Sequence, residues 1–377
     1  MTKFLANGII SLLDENLTYN LAESTTANLQ LGDIFSPQLQ DTLKYLHLGY
    51  GSSRGNEELR REIAKRLEVS PDSVLITNGA AASLFLSAFV LCELSDEVAT
   101  VRPNFPPTLD IISALGVRCR TVNLLFEEQY RLRLDLLRQE LSPQTKLVLL
   151  VTPHNPSGVT LSSAEIEQVL KLMTAQCPEA YLLIDETYRE ATYGNNPVPV
   201  SAANLSERVI TTSSISKCHG APGLRIGWLT CNSPEILEQL TFAKLNTVIS
   251  CSVVDEILGL EVLRHSSMIL HDRQVMLASA VRKTAEWIGR HEDYVEWVPP
   301  QGGALCCVRL RPDLYDESRV KDFYRKARSY ELQVADGAWF GESSRVFRLG
   351  FGFLPLPRLE CAFDALSQTL KEVLNER

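Results

Sequence analysis

The 377-residue sequence predicts an α/β fold: a large domain on a mostly parallel sheet of the seven-stranded type, sandwiched by helices, plus a smaller α+β lobe. Three observations predict it. Short β-branched runs alternate with helical patterns through the middle of the chain. Those runs are apolar on both faces, as strands covered by helices on both sides must be. Near residue 275 the alternation ends and the texture changes. The expected division is a large domain at 36–274 and a small one made of 1–35 with 275–377.

Taken in order, "SVLITNG" (73–79) reads as a strand ending in a turn, and the apolar run "AAASLFLSAFVLC" (80–92) as a buried helix. That run is too short to span a bilayer. "EVATVRP" (97–103), "CRTVNLL" (119–125) and the near-continuous apolar "KLVLLVTP" (146–153) follow as strands. "SSAEIEQVLKLMTAQ" (162–176) is a helix opened by Ser162 or Ser163. "AYLLIDE" (180–186), "RVITTSS" (208–214) and "IGWLTC" (226–231) complete the strand series. Beyond them come the amphipathic helix "LASAVRKTAEWIGRH", the segment "GGALCCVRL", a helix around "SRVKDFYRKARSY", then "RVFRLGFG" and a final helix.

Composition narrows the function. A hydrophobic fraction of 45% with 22% charged residues suits a globular enzyme with a sizeable core. A formal charge of -9 and a pI near 5.3 argue against nucleic acid as a partner. The nine cysteines are scattered, and no pair has the gap of a zinc knuckle. They read as buried thiols of a reducing, cytoplasmic compartment. The N-terminus lacks a small-x-small cleavage site, and its apolar run is followed at once by Asp14 and Glu15, so neither export nor a membrane is expected. "GYGSSRG" (49–55) has one residue too many between its later glycines for a dinucleotide loop.

In a doubly wound sheet, ligands lie outside the carboxyl ends of the strands. Residues with chemistry fall there repeatedly. Gly79 and Ala80 follow one strand and open a helix, a ready anion site. Phe105 follows the next, Asn155 another, Asp185 and Tyr188 another, and Ser214 with Lys217 yet another. Arg225 stands eight residues beyond the lysine, with glycines and a proline between. A phosphate cradle, a buried carboxylate, a phenol, an amide, an aromatic face and a lysine together suit pyridoxal phosphate. Its aldehyde takes an amine, its ring nitrogen a carboxylate, and its phosphate amides, a hydroxyl and a guanidinium. No metal is expected.

Over nearly its whole length the chain resembles the fold-type I pyridoxal-phosphate enzymes, specifically class I/II aminotransferases with the aspartate-aminotransferase-like fold. "YGSSRGNEELR", "TNGA", "HNPSG", "DETY", "SxSK", "GLRIGW" and "FRLGF" carry the resemblance in order. It implies that Lys217 is the Schiff-base lysine and that Asp185 pairs with the pyridine nitrogen. Asn155 and Tyr188 would meet the ring's phenolic oxygen, and Phe105 would stack on the ring. The amides of Gly79, Ala80 and Ala81, the Ser214 hydroxyl and Arg225 would hold the phosphate. Tyr50 would reach the phosphate of the neighbouring subunit in a homodimer, and Arg348, with Asn155, would bind the substrate carboxylate.

The implied reaction moves an amino group between an L-amino acid and a 2-oxo acid. Lyase, oxidase, decarboxylase or guanidino-amino-acid cyclase chemistry on the same scaffold is the alternative. "HNPSG" departs from the family's usual Asn and Thr with His154 and Ser157, and His219 beside the lysine reads as structural. Asp14, Glu15 and Glu23 would favour a basic substrate side chain if they line the pocket, but read as solvated.

Overall fold

The computed structural model describes Phe4 and residues 6–375; Met1–Lys3, Leu5 and residues 376–377, where the first and last segments read above begin and end, lie outside the described residues. The strands are β1 (Tyr19–Asn20), β2 (Val74–Thr77), β3 (Glu97–Arg102), β4 (Arg118–Asn123), β5 (Thr145–Val151), β6 (Tyr181–Asp185), β7 (Val209–Ser214), β8 (Gly227–Cys231), β9 (Val295–Val298), β10 (Leu305–Leu310), β11 (Leu332–Gln333), β12 (Ala335–Asp336) and β13 (Val346–Gly350). Seven of them form the large sheet in the order β2-β8-β7-β6-β5-β3-β4. All its pairs are parallel except those of β8, which runs against both β7 and β2.

The apolar runs are explained by burial on both faces. Along β5, Leu147, Leu149 and Val151 pack toward the helices Ala80–Leu91 and Pro234–Val248, while Val148 and Leu150 face the helix Ser163–Gln176. Each such side chain contributes roughly 1.5–3 kcal/mol by leaving water. Ser162 caps Ser163–Gln176: its Oγ accepts the Glu165 amide (3.2 Å), and Glu165 Oε2 accepts the Ser162 amide (2.7 Å).

The smaller sheet, β12-β13-β10-β9, is antiparallel and buries Trp287, Phe323, Phe347 and Phe363 with the helices around it. The helix Ser266–Arg290 runs unbroken through residues 274 and 275, so the boundary expected there falls inside one element. The chain's first segment reaches the same lobe through the parallel pair β1–β11.

Candidate active site

Register brings the strand-end residues together. β2, β3, β5, β6 and β7 all end on one edge of the large sheet, and antiparallel β8 begins there. Gly227 therefore stands beside both Thr77 and Ser214, and Asp185 beside Val151 and Thr212. A Cβ on Gly227 would meet the Gly79 carbonyl carbon at 2.5 Å and the Ala80 nitrogen at 2.6 Å, so only glycine lets the turn after β2 pass.

Gly79, at φ 78°, is the N-cap of Ala80–Leu91 and supplies no side-chain cap. Its own N–H donates to Thr77 O (2.8 Å). The free first-turn donors are thus those of Ala80 and Ala81, two of the three amides anticipated from the sequence. Arg225, also left-handed (φ 50°), donates from Nη1 to Pro222 O (3.0 Å) and from Nη2 to Asn78 O (3.5 Å). Its exposed guanidinium lies so close to Gly79 that a Cβ there would meet Nη2 at 2.4 Å. Ser214 is buried at the end of β7. A helix N-terminus, a hydroxyl and an arginine make an anion cradle.

Asp185 is buried, and its hydrogen bonds come from the Thr187 N–H (3.0 Å) and hydroxyl (2.5 Å), both to Oδ1. Burial pushes its carboxyl up, against the Thr187 hydroxyl and amide and the Lys217 charge, which pull it down. A buried carboxyl in that balance fits a protonated ring nitrogen as partner for its other oxygen.

Lys217 Nζ donates to Glu23 Oε1 (3.3 Å) and Ser24 Oγ (3.2 Å). A chain of contacts continues across the cleft: Tyr188 OH donates to Ser24 Oγ (3.0 Å), and Asn155 Nδ2 to Tyr188 OH (3.5 Å). Arg348 closes it by donating from Nη1 to Asn155 Oδ1 (2.9 Å) and from Nη2 to Ala22 O (2.5 Å). Arg348 is 2% exposed at the middle of β13, over the Phe340 ring at 4.7 Å, and its Nε has no partner among the described residues. Burial lowers its proton affinity, opposed by Tyr188 and Glu23. An orphaned buried guanidinium N–H fits an anionic ligand group.

Phe105 is the half-buried N-cap of the helix Pro106–Leu115, just after β3. Tyr50 is 86% exposed, away from this chain of contacts. His154 is buried behind the site between Ser157 Oγ (2.8 Å) and Pro103 O (2.9 Å) and is held down to about 4 by burial. His219 points to Ser266 Oγ (2.7 Å), and burial lowers it to about 4.

Two residues of the site hold places that the sequence reading does not give them: Glu23, weighed only as a pocket carboxylate and read as solvated, and Ser24. Glu23 is not solvated: its side chain is 17% exposed and bonded to Lys217, whereas Glu15 pairs with Arg328 (2.6 Å) away from the cleft. Ser24 is buried between Lys217 and Tyr188. The segment "NLAES" has no motif that announces this. Its only signal is a carboxylate inside an otherwise apolar and small-residue stretch.

The sequence profile of the family "Aminotransferase class I and II" matches residues 38–362. Among curated relatives, the chain is 28% identical over 358 residues to a capreomycidine synthase of Streptomyces vinaceus, covering 93% of this chain and 89% of that one. It is 25% identical to an aspartate aminotransferase of Thermotoga maritima, covering 89% and 87%. A solved PLP-dependent aminotransferase from Streptococcus suis superposes with a TM-score of 0.89 over 99% of both chains at 24% identity. A PLP-dependent cyclase superposes with a TM-score of 0.84 at 23% identity, over 95% of this chain and 94% of that one.

Proposed function

The chain belongs to the class I and II aminotransferase family, a family dependent on pyridoxal phosphate, and from that premise we propose that it moves an amino group between an L-amino acid and a 2-oxo acid. The cofactor supplies a ring that takes up the electron pair left when a bond to the amino acid's Cα breaks. The chain's residues do the rest. Lys217 provides the nitrogen that bonds the cofactor and, once released, a base to lift the Cα proton. Asp185 holds a proton at the ring nitrogen, and Asn155 and Tyr188 orient the phenolic oxygen. Phe105 covers the ring face. Ser214, the Gly79–Ala81 turn and Arg225 hold the phosphate. Arg348, steadied by Asn155, takes the substrate α-carboxylate.

The observation that carries this reading is the continuous contact chain from Lys217 to Arg348 through Ser24, Tyr188 and Asn155. An amine and a buried guanidinium stand at its two ends, with the Asp185 carboxyl felt by the amine, and this supports reading them as nucleophile and carboxylate binder.

A homodimer with Tyr50 entering the neighbouring site belongs to the same reading. Tyr45, Leu48 and Tyr50 are exposed, as are Phe89, Phe242, Leu245 and Val248 on the packed helices Ala80–Leu91 and Pro234–Val248 and Ile249 just past the second. An apolar surface of that extent suits a subunit interface. A cytoplasmic location fits nine cysteines that are all free. Among the described residues no helix is long and apolar enough to cross a membrane.

A second reading, another reaction at the amino-acid α-carbon, is favoured by one observation: relatives named as a synthase and a cyclase match the chain over about as much of its length as the aminotransferases do. A panel of amino donors against pyruvate and 2-oxoglutarate, followed for keto acid and oxygen uptake, separates the two. Keto-acid formation lost in Lys217→Ala supports amino transfer. Turnover without keto acid supports the second reading, and turnover surviving in Lys217→Ala overturns both.

A further inference from the structure

Amino transfer gives work to Lys217, Asp185, Tyr188, Asn155 and Arg348 but leaves one charged group in the cleft without a task. Glu23 Oε1 accepts Lys217 Nζ (3.3 Å) and also the N–H groups of Ser24 (2.8 Å) and Thr25 (3.1 Å). Those two amides belong to its own turn, so the carboxylate keeps its orientation whatever the lysine does. The turn is itself tied to the lysine's backbone. Thr26 N–H and Oγ–H both donate to Lys217 O, at 3.2 and 3.0 Å. On the other side Leu21 O accepts the Gly350 amide (2.7 Å), two residues from Arg348.

Four ionisable groups lie around the Lys217–Glu23 pair. Glu23 comes from the first segment, Asp185 from the end of β6, Tyr188 from the loop after it, and Arg348 from β13. Tyr188 turns its hydroxyl to Ser24, and Asp185 has its hydrogen bonds from Thr187. Glu23 is the carboxylate that hydrogen-bonds the lysine.

Resting on the amino-transfer reading, we propose that Glu23 is a positioning residue whose carboxylate keeps a proton on the Lys217 nitrogen while that nitrogen is bonded to the cofactor. A fixed negative charge at 3.3 Å, in a side chain only 17% exposed, favours the charged form of the nitrogen and is weakly screened. The charge is permanent at working pH. Burial alone would raise Glu23, but Lys217, Arg348 and the Ser24 amide bring it down to about 2. While that nitrogen is bonded to the cofactor, the Glu23 charge would therefore favour its protonated form, in which its carbon partner is electrophilic.

The test is an absorbance titration of the pyridoxal-phosphate-loaded protein from pH 5 to 10, read with the pH profile of turnover. Glu23→Gln keeps the acceptor oxygen for both amides and removes only the charge. Its spectral midpoint is expected to fall by at least about one pH unit, a tenfold loss of proton affinity, and Glu23→Asp is expected to recover at least half of that. Ser24→Ala, which removes a neutral contact, should leave the midpoint within about 0.3 unit. A Glu23→Gln midpoint that does not move overturns the proposal. If that variant fails to fold, the wild type still decides: a midpoint above about pH 8 supports the role, and one below about 7 refutes it. Absence of any visible band would instead refute the cofactor-binding reading, so the two failures are distinguishable.

Discussion

Two lysines, the half-buried Lys217 and the buried Lys244, each sit near a glutamate, and the pairs are built in opposite ways. In the cleft, Lys217 and Glu23 hydrogen-bond each other, and the glutamate is held at about 2. Behind the glycine-rich loop at 49–55, Lys244 donates to Ser53 O (2.6 Å), while Glu256 Oε2 accepts the Asn56 amide (3.1 Å). Glu256 Oε1 is left buried without a hydrogen-bond partner among the described residues, and burial pushes that carboxyl up to about 7, with Lys244 only partly opposing. The second pair uses its polar atoms to fix backbone, with a Cβ on Gly55 only 3.0 Å from Glu256 Oε1. The first uses backbone to fix a charge. Proximity of opposite charges does not by itself define a site; what each atom is bonded to does.

The largest expected difference between the two pairs is between their lysines. Lys217→Ala should lower amino transfer by at least about 10⁴-fold with the fold intact. Lys244→Met should leave turnover per folded molecule unchanged and cost about 3 kcal/mol of stability in denaturant titrations, because it strands Glu256 and Ser53 O. Loss of turnover without loss of stability in Lys244→Met would break the comparison.

The glutamates sharpen it through the sign of their pH dependence. Glu256 is raised, so the folded state binds its proton more tightly and stability is lost as pH climbs from 4.5 to about 7. Glu256→Gln should therefore be the more stable protein at pH 8, by about 2 kcal/mol. Glu23 is lowered, so its contribution is present above 4.5 and disappears as pH falls toward 2. The wild type should lose on the order of 1–2 kcal/mol more than Glu23→Gln across that acid window, the smallest of the four effects. Slopes of the same sign would mean that the two carboxylates are in equivalent settings.

The sequence carries the large sheet well because its information is local. β5 is apolar at every position from Leu147 to Val151 because both its faces are covered there, and Ser162 with Glu165 spells a cap within four residues. The site residues at strand ends are legible for the same reason. Strand direction is not: the run 227–231 looks like its neighbours, yet β8 is antiparallel, since an apolar run has no arrow. Glu23 was hidden by distance. Its partner lies 194 positions away, and a carboxylate in an irregular segment looks solvated until that contact exists. Gly79 shows a finer limit, because which of three consecutive amides is already engaged depends on a turn only coordinates reveal.

The lateral alignment of Thr77, Gly227 and Ser214 has a consequence for how such a chain can diversify over generations. A one-residue insertion in β8 would set the Trp228 indole where Gly227 now leaves room for the crossing backbone, and the anion cradle would be lost with it. That rim tolerates neither insertion nor deletion, so descendants in search of new chemistry are confined to redrawing the opposite shore, where residues 20–26 and β13 meet.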